Sequence, residues 1–155
     1  MLERHISEKR LVDSLTLYWE RLRDNVEGTL PPVQQVNSAA LGDLWDHCCQ
    51  LSIHSESNRS LFKYDYIGSE VKKAYGADLT GQFANLGVRV VPGDAILGDI
   101  RNCIDNKEPV SKSGNFINDK SRMIKYRSCI IPFGNSALPE KGVSYVIMGL
   151  SWRAF

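Results

Sequence analysis

Apolar and polar positions along the chain fall into three periodicities. From His5 to Asn25, Ile6, Leu11, Leu15, Tyr18, Leu22 and then Val26 recur mostly at three- and four-residue steps, which predicts an amphipathic helix with one apolar stripe. Leu17 and Trp19 widen that stripe, and Glu20, Arg21, Arg23 and Asp24 lie on its polar side. Gly28 and the Pro31-Pro32 pair end the helix and open an extended linker. Asn37 or Ser38 can cap a short second helix running to Trp45. The period then changes to two. Cys48–Ile53 reads as a strand, His54–Arg59 as turn chemistry, and Leu61–Ile67 as a second strand, which together predict a hairpin.

Gly68-Ser69 ends the hairpin, with Ser69 expected to cap a short helix from Val71 to Tyr75 that stops at Gly76. Asp78-Leu79-Thr80-Gly81 predicts a turn or a single helical turn. After Pro92-Gly93-Asp94, the apolar positions Ile96, Leu97, Ile100, Cys103 and Ile104 mark a longer amphipathic helix that Asn106 and Lys107 close. The last third alternates strand and turn, with strands expected at 110–117, 122–133 and 143–152, the last being the most apolar. With 48–53 and 60–67 these make five. The pattern is an α+β arrangement, one antiparallel sheet of five strands with short helices on one face and a helix at the N-terminus. We divide the chain into an amphipathic helix and linker at 1–30 and the main domain at 31–155.

Composition adds limits. The 155 residues suit one domain with its own core, and 43% hydrophobic against 24% charged residues is a globular balance. Nineteen Lys and Arg against 18 Asp and Glu leave a formal charge of +1, so there is no electrostatic footprint for nucleic acid or anionic lipid. The opening Met-Leu-Glu-Arg-His-Ile-Ser-Glu-Lys-Arg is too charged for a secretory leader, and no run nears the ~20 apolar residues of a membrane span. A cytoplasmic protein with reduced cysteines is expected.

Catalytic candidates are few. His5, His47 and His54 lie at no metal-ligand spacing, and His47 beside Cys48-Cys49 reads as packing, since vicinal cysteines do not easily share one tetrahedral ion. Neither a Gly-x-Ser-x-Gly elbow nor a phosphate loop is present. We therefore expect no catalytic residues, no metal and no identified cofactor. The interior is richer. Phe62, Tyr64 and Tyr66 alternate along one strand and are expected on one sheet face. Tyr126 shares a face with Ser128 and Ile130, and Tyr75, Ile96, Ile100 and Ile104 can close the opposite side. Phe62, Tyr64, Tyr66, Tyr75, Ile96, Ile100, Tyr126 and Ile130 are the candidates for contact with a small molecule. The same side chains can equally fill a core, although tyrosine hydroxyls in an interior need partners.

The order of elements, and three stretches of wording, resemble a known family. Leu15-x-x-Tyr18-Trp19-x-x-Leu22-Arg23 is the first stretch. The second is Phe62-Lys63-Tyr64-x-x-x-Gly68-Ser69-x-Val71, continuing through Tyr75-Gly76-Ala77-Asp78-Leu79-Thr80-Gly81. Tyr126-Arg127-x-x-x-Ile131-Pro132-Phe133 is the third. Together they resemble the PAS-like family widespread in alphaproteobacteria, whose members are stand-alone chains, over about residues 15–152. The chain departs from that family where Pro31-Pro32-Val33 has no basic residue and where Asp65 stands in place of an arginine. Asn102-Cys103 echoes the flavin-reactive cysteine of light-sensing PAS relatives, but it sits late, on the apolar face of a helix, and reads as core. That helix also has no histidine for haem.

The resemblance implies a PAS-like fold and a non-enzymatic sensor or regulator in signal transduction. Such a domain would bind a small molecule, a protein partner or a second copy of itself. Gly68, Gly76, Asp78, Thr80 and Gly81 are expected to build turns rather than contact a ligand. Leu11, Leu15, Tyr18, Trp19 and Leu22 form a stripe broad enough to suggest a homodimer seam, with Trp19 left in water on the isolated helix; the alternative is that all of them fold back onto their own sheet. The alternatives are a ligand-independent adaptor with a filled interior, and a small α+β enzyme or carrier with ionisable groups converging in a cleft.

Overall fold

A computed structural model describes residues 8–26, 30–86 and 94–155. The readings at His5, Ile6, Gly28 and Pro92-Gly93 lie outside them. Among the described residues, four α-helices and five strands follow one another as α1 (Glu8–Asp24), α2 (Ser38–Leu41), β1 (Cys48–Glu56), β2 (Arg59–Ile67), α3 (Ser69–Tyr75), α4 (Asp94–Asn106), β3 (Val110–Ile117), β4 (Met123–Phe133) and β5 (Tyr145–Ala154). The strands form one antiparallel sheet of five, as the sequence predicts, and their order in it is β2-β1-β5-β4-β3.

Local chemistry accounts for most of the boundaries. Asn37 accepts a hydrogen bond from Ala39 N and so caps α2, after which the chain tightens into 3-10 turns from Gly42 to His47. The β1–β2 hairpin closes through Ser57 and Asn58, both in the left-handed region at φ 50° and 63°, the geometry of a tight two-residue turn. The hairpin strands are therefore longer than the turn-rich sequence 54–59 suggests.

Gly68, not Ser69, caps α3. Ser69 is already helical and no side chain caps that end. A Cβ at Gly68 would collide with the backbone carbonyl of Asp46, whose carbon would lie only 2.6 Å away, so the close passage of two backbones decides this position. Gly76 then ends α3 at φ 74°, its N–H bonded to Lys72 O.

Both faces of the sheet are covered. On the inner face α3 and α4 pack over Cys49, Leu51, Phe62, Tyr64, Ile124, Tyr126, Ile130, Val146, Met148 and Leu150. On the outer face α1 lies across β4 and β5, burying Leu11, Leu15 and Trp19 against Cys129, Ile131, Phe133 and Ile147. Gly149 makes this approach possible, because Leu15 occupies the space its side chain would fill. The indole N–H of Trp19 donates to Pro132 O at 2.6 Å.

The expectation that Trp19 is left in water is therefore corrected: it is 1% exposed. Tyr18 and Leu22 are half-buried beside it, and the Tyr18 hydroxyl accepts from Asn37 N at 2.9 Å. The stripe serves its own sheet, and the large apolar side chain left exposed on α1 is that of Leu17, at 46%. The linker is tied down as well, through Val33 N to Gly134 O and Gly134 N to Pro31 O.

Candidate functional site

The inner core brings together seven of the eight ligand-contact candidates. Phe62, Tyr64, Tyr75, Ile96, Ile100, Tyr126 and Ile130 belong to one buried cluster. Tyr66 does not. The pairing slips where Leu51 faces Tyr64 while Gln50 faces Tyr66, so Asp65 is an extra residue on β2. A bulge of this kind inverts the alternation beyond it, and Ile67 points inward in place of Tyr66. Tyr66 instead stacks on Trp45, with ring centroids 4.6 Å apart and planes 8° from parallel, and its hydroxyl donates to Trp45 O.

Within the core, four aromatic rings run from β2 across to β4. Tyr64 meets Tyr75 edge-on at 5.9 Å, Tyr75 meets Phe116 at 5.9 Å, and Phe116 meets Tyr126 at 5.7 Å. Gly114 leaves room for the Tyr126 phenol, whose oxygen would lie 2.8 Å from a Cβ there. The Tyr64 hydroxyl donates to that of Tyr75 at 3.4 Å. Burial raises the pKa of both phenols far above the ordinary tyrosine value. Burial likewise pushes the Cys49 thiol up to about 12 against the opposing hydrogen bonds of Tyr75 and Met148, and Cys103 to about 12. Such thiols stay protonated at neutral pH and make poor nucleophiles.

One grouping outside the core has the residue types of hydrolytic catalysis. Ser52 Oγ lies 2.9 Å from His54 Nε2 and 3.0 Å from Asp65 Oδ1. A carboxylate only accepts, so the single hydroxyl proton goes to Asp65 and His54 must donate to Ser52. That wiring is the reverse of a general base removing a proton from a nucleophile. Among the described residues, no group of three His, Cys, Asp or Glu side chains is placed to hold a metal ion.

The Gly-x-Asp-Leu-Thr-Gly stretch forms a tight turn. Asp78 Oδ1 accepts from Thr80 N at 3.0 Å and from the Thr80 hydroxyl, and Lys72 lies 3.5 Å from its other oxygen. These bonds, those from Thr80 foremost, hold the Asp78 carboxyl below its ordinary range. Gly81, at φ 84°, donates to Tyr64 O, and Tyr64 N and Ala84 N bond to Gln82 O and Phe62 O respectively. The turn thus covers the outer edge of β2 beside the aromatic row.

Among the described residues, three surface clefts stand out. One of about 290 Å³ is lined by Asp78 and Phe83, and one of about 450 Å³ by Leu30, Lys107 and Lys141. A third, of about 320 Å³, lies between the start of β2 and α4 and reaches Phe62. Nothing in the alternating sequence marks Arg59, Asn85 or Arg101, which line it. They come from three separate segments.

No family model matches the chain, and no curated protein matches it. Solved structures do. The light-state structure of the blue-light photoreceptor Aureochrome1 LOV matches with a TM-score of 0.50 and 11% identity, over 76% of this chain and 87% of that one. A Light-Oxygen-Voltage domain studied with a flavin analogue matches at 0.51 and 10%, over 74% and 82%. The light-state dimer of the fungal blue-light photoreceptor Vivid matches at 0.50 and 12%, over 88% and 91%. At such identities the likeness concerns the fold. A five-stranded sheet in the order β2-β1-β5-β4-β3, with helices packed on it, is a PAS-like fold of the kind found in Light-Oxygen-Voltage domains.

Proposed function

We propose that the chain is a non-enzymatic sensor or regulatory domain of the PAS type. It takes a small molecule against its inner aromatic core and passes the event to a protein partner or a second copy of itself in signal transduction. The observation that carries this reading is the two-sided character of β5, the central strand. Val146, Met148 and Leu150 lie in the inner core, whereas Ile147 lies in the outer core and Gly149 beneath Leu15. Interiors are close-packed, so a change of volume among Tyr64, Tyr75 and Tyr126 displaces β5 and with it the seat of α1.

Further features support parts of the reading. Protonated thiols and the reversed Ser52–His54–Asp65 wiring favour a role without catalysis. Four free, buried cysteines suit a reducing, cytoplasmic setting. The three stretches of wording shared with the stand-alone PAS-like proteins of alphaproteobacteria favour membership of that family. A second copy would meet α1 on the surface around Leu17, because Leu11, Leu15 and Trp19 are already used. The Vivid structure described as a light-state dimer is a neighbour in which copies associate.

Native mass spectrometry of the protein purified under mild conditions tests the reading. The expected spectrum contains the chain carrying one small molecule, and Tyr75→Phe reduces that species. A bare chain in every preparation, together with a partner captured equally well without any ligand, would replace this reading by that of an adaptor. One observation favours the adaptor: the Tyr64 hydroxyl already has a partner inside the core, donating to that of Tyr75.

A further inference from the structure

The cleft between the start of β2 and α4 is built differently from the rest of the surface. Arg101, Ile104 and Asp105 stand on one face of α4 at the spacing of a single turn. Arg59 and Ser60, at the start of β2, line the cleft as well, and so does Asn85. Asn85 is fixed at three atoms. Its Oδ1 accepts from Phe62 N at 3.0 Å, its Nδ2 donates to Ser60 O at 2.8 Å, and its carbonyl accepts from Arg59 Nη2 at 2.9 Å.

One guanidinium is therefore anchored to the Asn85 carbonyl. The other, Arg101, lies 6.0 Å above the ring of Phe62. Among the described residues neither arginine has a carboxylate partner, and Asp105 is the one acid lining the cleft. The lining carries a net positive charge.

We infer that this cleft is a binding site for a small ligand bearing an oxyanion, a carboxylate or a phosphate, gripped between Arg59 and Arg101. A guanidinium presents parallel N–H donors that match two oxygens of one such group, and two guanidiniums facing the same space can hold it from both sides. Ile104, half-buried beside Arg101, offers an apolar wall for the rest of the ligand. A volume of about 320 Å³ suits a small metabolite rather than a nucleotide cofactor. The site is separate from the aromatic core, and its existence does not depend on the sensory role proposed above.

Titration of the amide NMR spectrum of the whole chain with succinate, inorganic phosphate and neutral succinamide, at fixed ionic strength, tests the inference. Succinate, phosphate or both should shift the Arg59, Asn85 and Arg101 amides saturably, while succinamide leaves them in place. The more potent of the two anions identifies the carboxylate or the phosphate as the natural group. Arg101→Gln and Arg59→Gln should each weaken binding roughly tenfold, the effect of losing one charge-assisted hydrogen bond. Arg21→Gln, on the exposed face of α1, should leave it unchanged. Thermal melts establish that each variant is folded. The assignment is overturned if neither anion gives a saturable shift at these amides, or if the double variant Arg59→Gln/Arg101→Gln binds as the parent does.

Discussion

At the scale of single residues, close approaches matter more than side-chain identity. Gly68 is not needed for a left-handed backbone, since its φ is −67°, but its missing Cβ lets the chain pass the Asp46 carbonyl. Because the obstacle is backbone, Gly68→Ala should destabilise by about 2–3 kcal/mol, the upper range for overpacking. It should appear in urea denaturation as a lower midpoint with an unchanged slope. Asp78 behaves differently. Its depressed pKa means that its contribution is present above the ordinary aspartate value of 3.8 and is lost as pH falls through the lower, folded-state value. The carboxylate is fully exposed, so the effect is small. Asp78→Asn should lower the neutral plateau of a stability-against-pH curve slightly and leave the acid end unchanged, which flattens the acid limb. The Gly-Ser turn and Gly-x-Asp-Leu-Thr-Gly are both conspicuous in the sequence. That Gly68 acts through Asp46, 22 positions earlier, is not, because no local pattern encodes a non-local clearance.

At the scale of elements, period and turn chemistry account for nearly everything the sequence reveals. Five strands stand within a few residues of their expected limits because alternation is local. The bulge at Asp65 escapes that logic. One inserted residue turns Tyr66 outward, and Phe62-x-Tyr64-x-Tyr66 looks like an unbroken strand face in the sequence. Similarly, the stripe of α1 shows that a face must be covered but not by what, since the acceptor of the Trp19 indole is 113 residues away. Trp19→Ala should cost about 3–5 kcal/mol as a large buried side chain, measured by denaturation. A chain lacking residues 1–26 should bind a hydrophobic dye rather than behave as a folded domain with a lost dimer seam. In the hairpin, Asn58 at φ 63° tolerates the left-handed region better than most residues. Asn58→Ala should cost about 1 kcal/mol by the same measurement.

At the scale of the molecule, one sheet separates two cores and joins them through a shared strand. Inner-core substitutions are therefore expected to be felt on the far face. Met148→Ala should leave a cavity beneath Tyr75 and the helices, costing about 2–5 kcal/mol. It should also increase solvent quenching of Trp19, although the two residues lie on opposite sides of the sheet. To separate Trp19 from Trp45 and Trp152, the measurement is made with the other two replaced by Phe. No such coupling is visible in the sequence. Residue alternation in Val146–Leu150 shows two buried faces, yet the helix on each is known only once the chain is folded.

The order β2-β1-β5-β4-β3 also fixes when folding can finish. β5 fills the gap between the β1–β2 hairpin and the β3–β4 pair, and it is synthesised after the other four strands of the sheet. Until it leaves the ribosome, the hairpin has an unpaired inner edge and α1 has only part of its platform. The step of 113 positions from Trp19 to Pro132 takes on the order of ten seconds to translate. For that time the apolar stripe of α1 is exposed on a nascent chain. Chaperone dependence should therefore be set by the distance from α1 to β5. A circular permutant that places α1 after β5 should reach the native state with less help, provided the new connection spans the sheet.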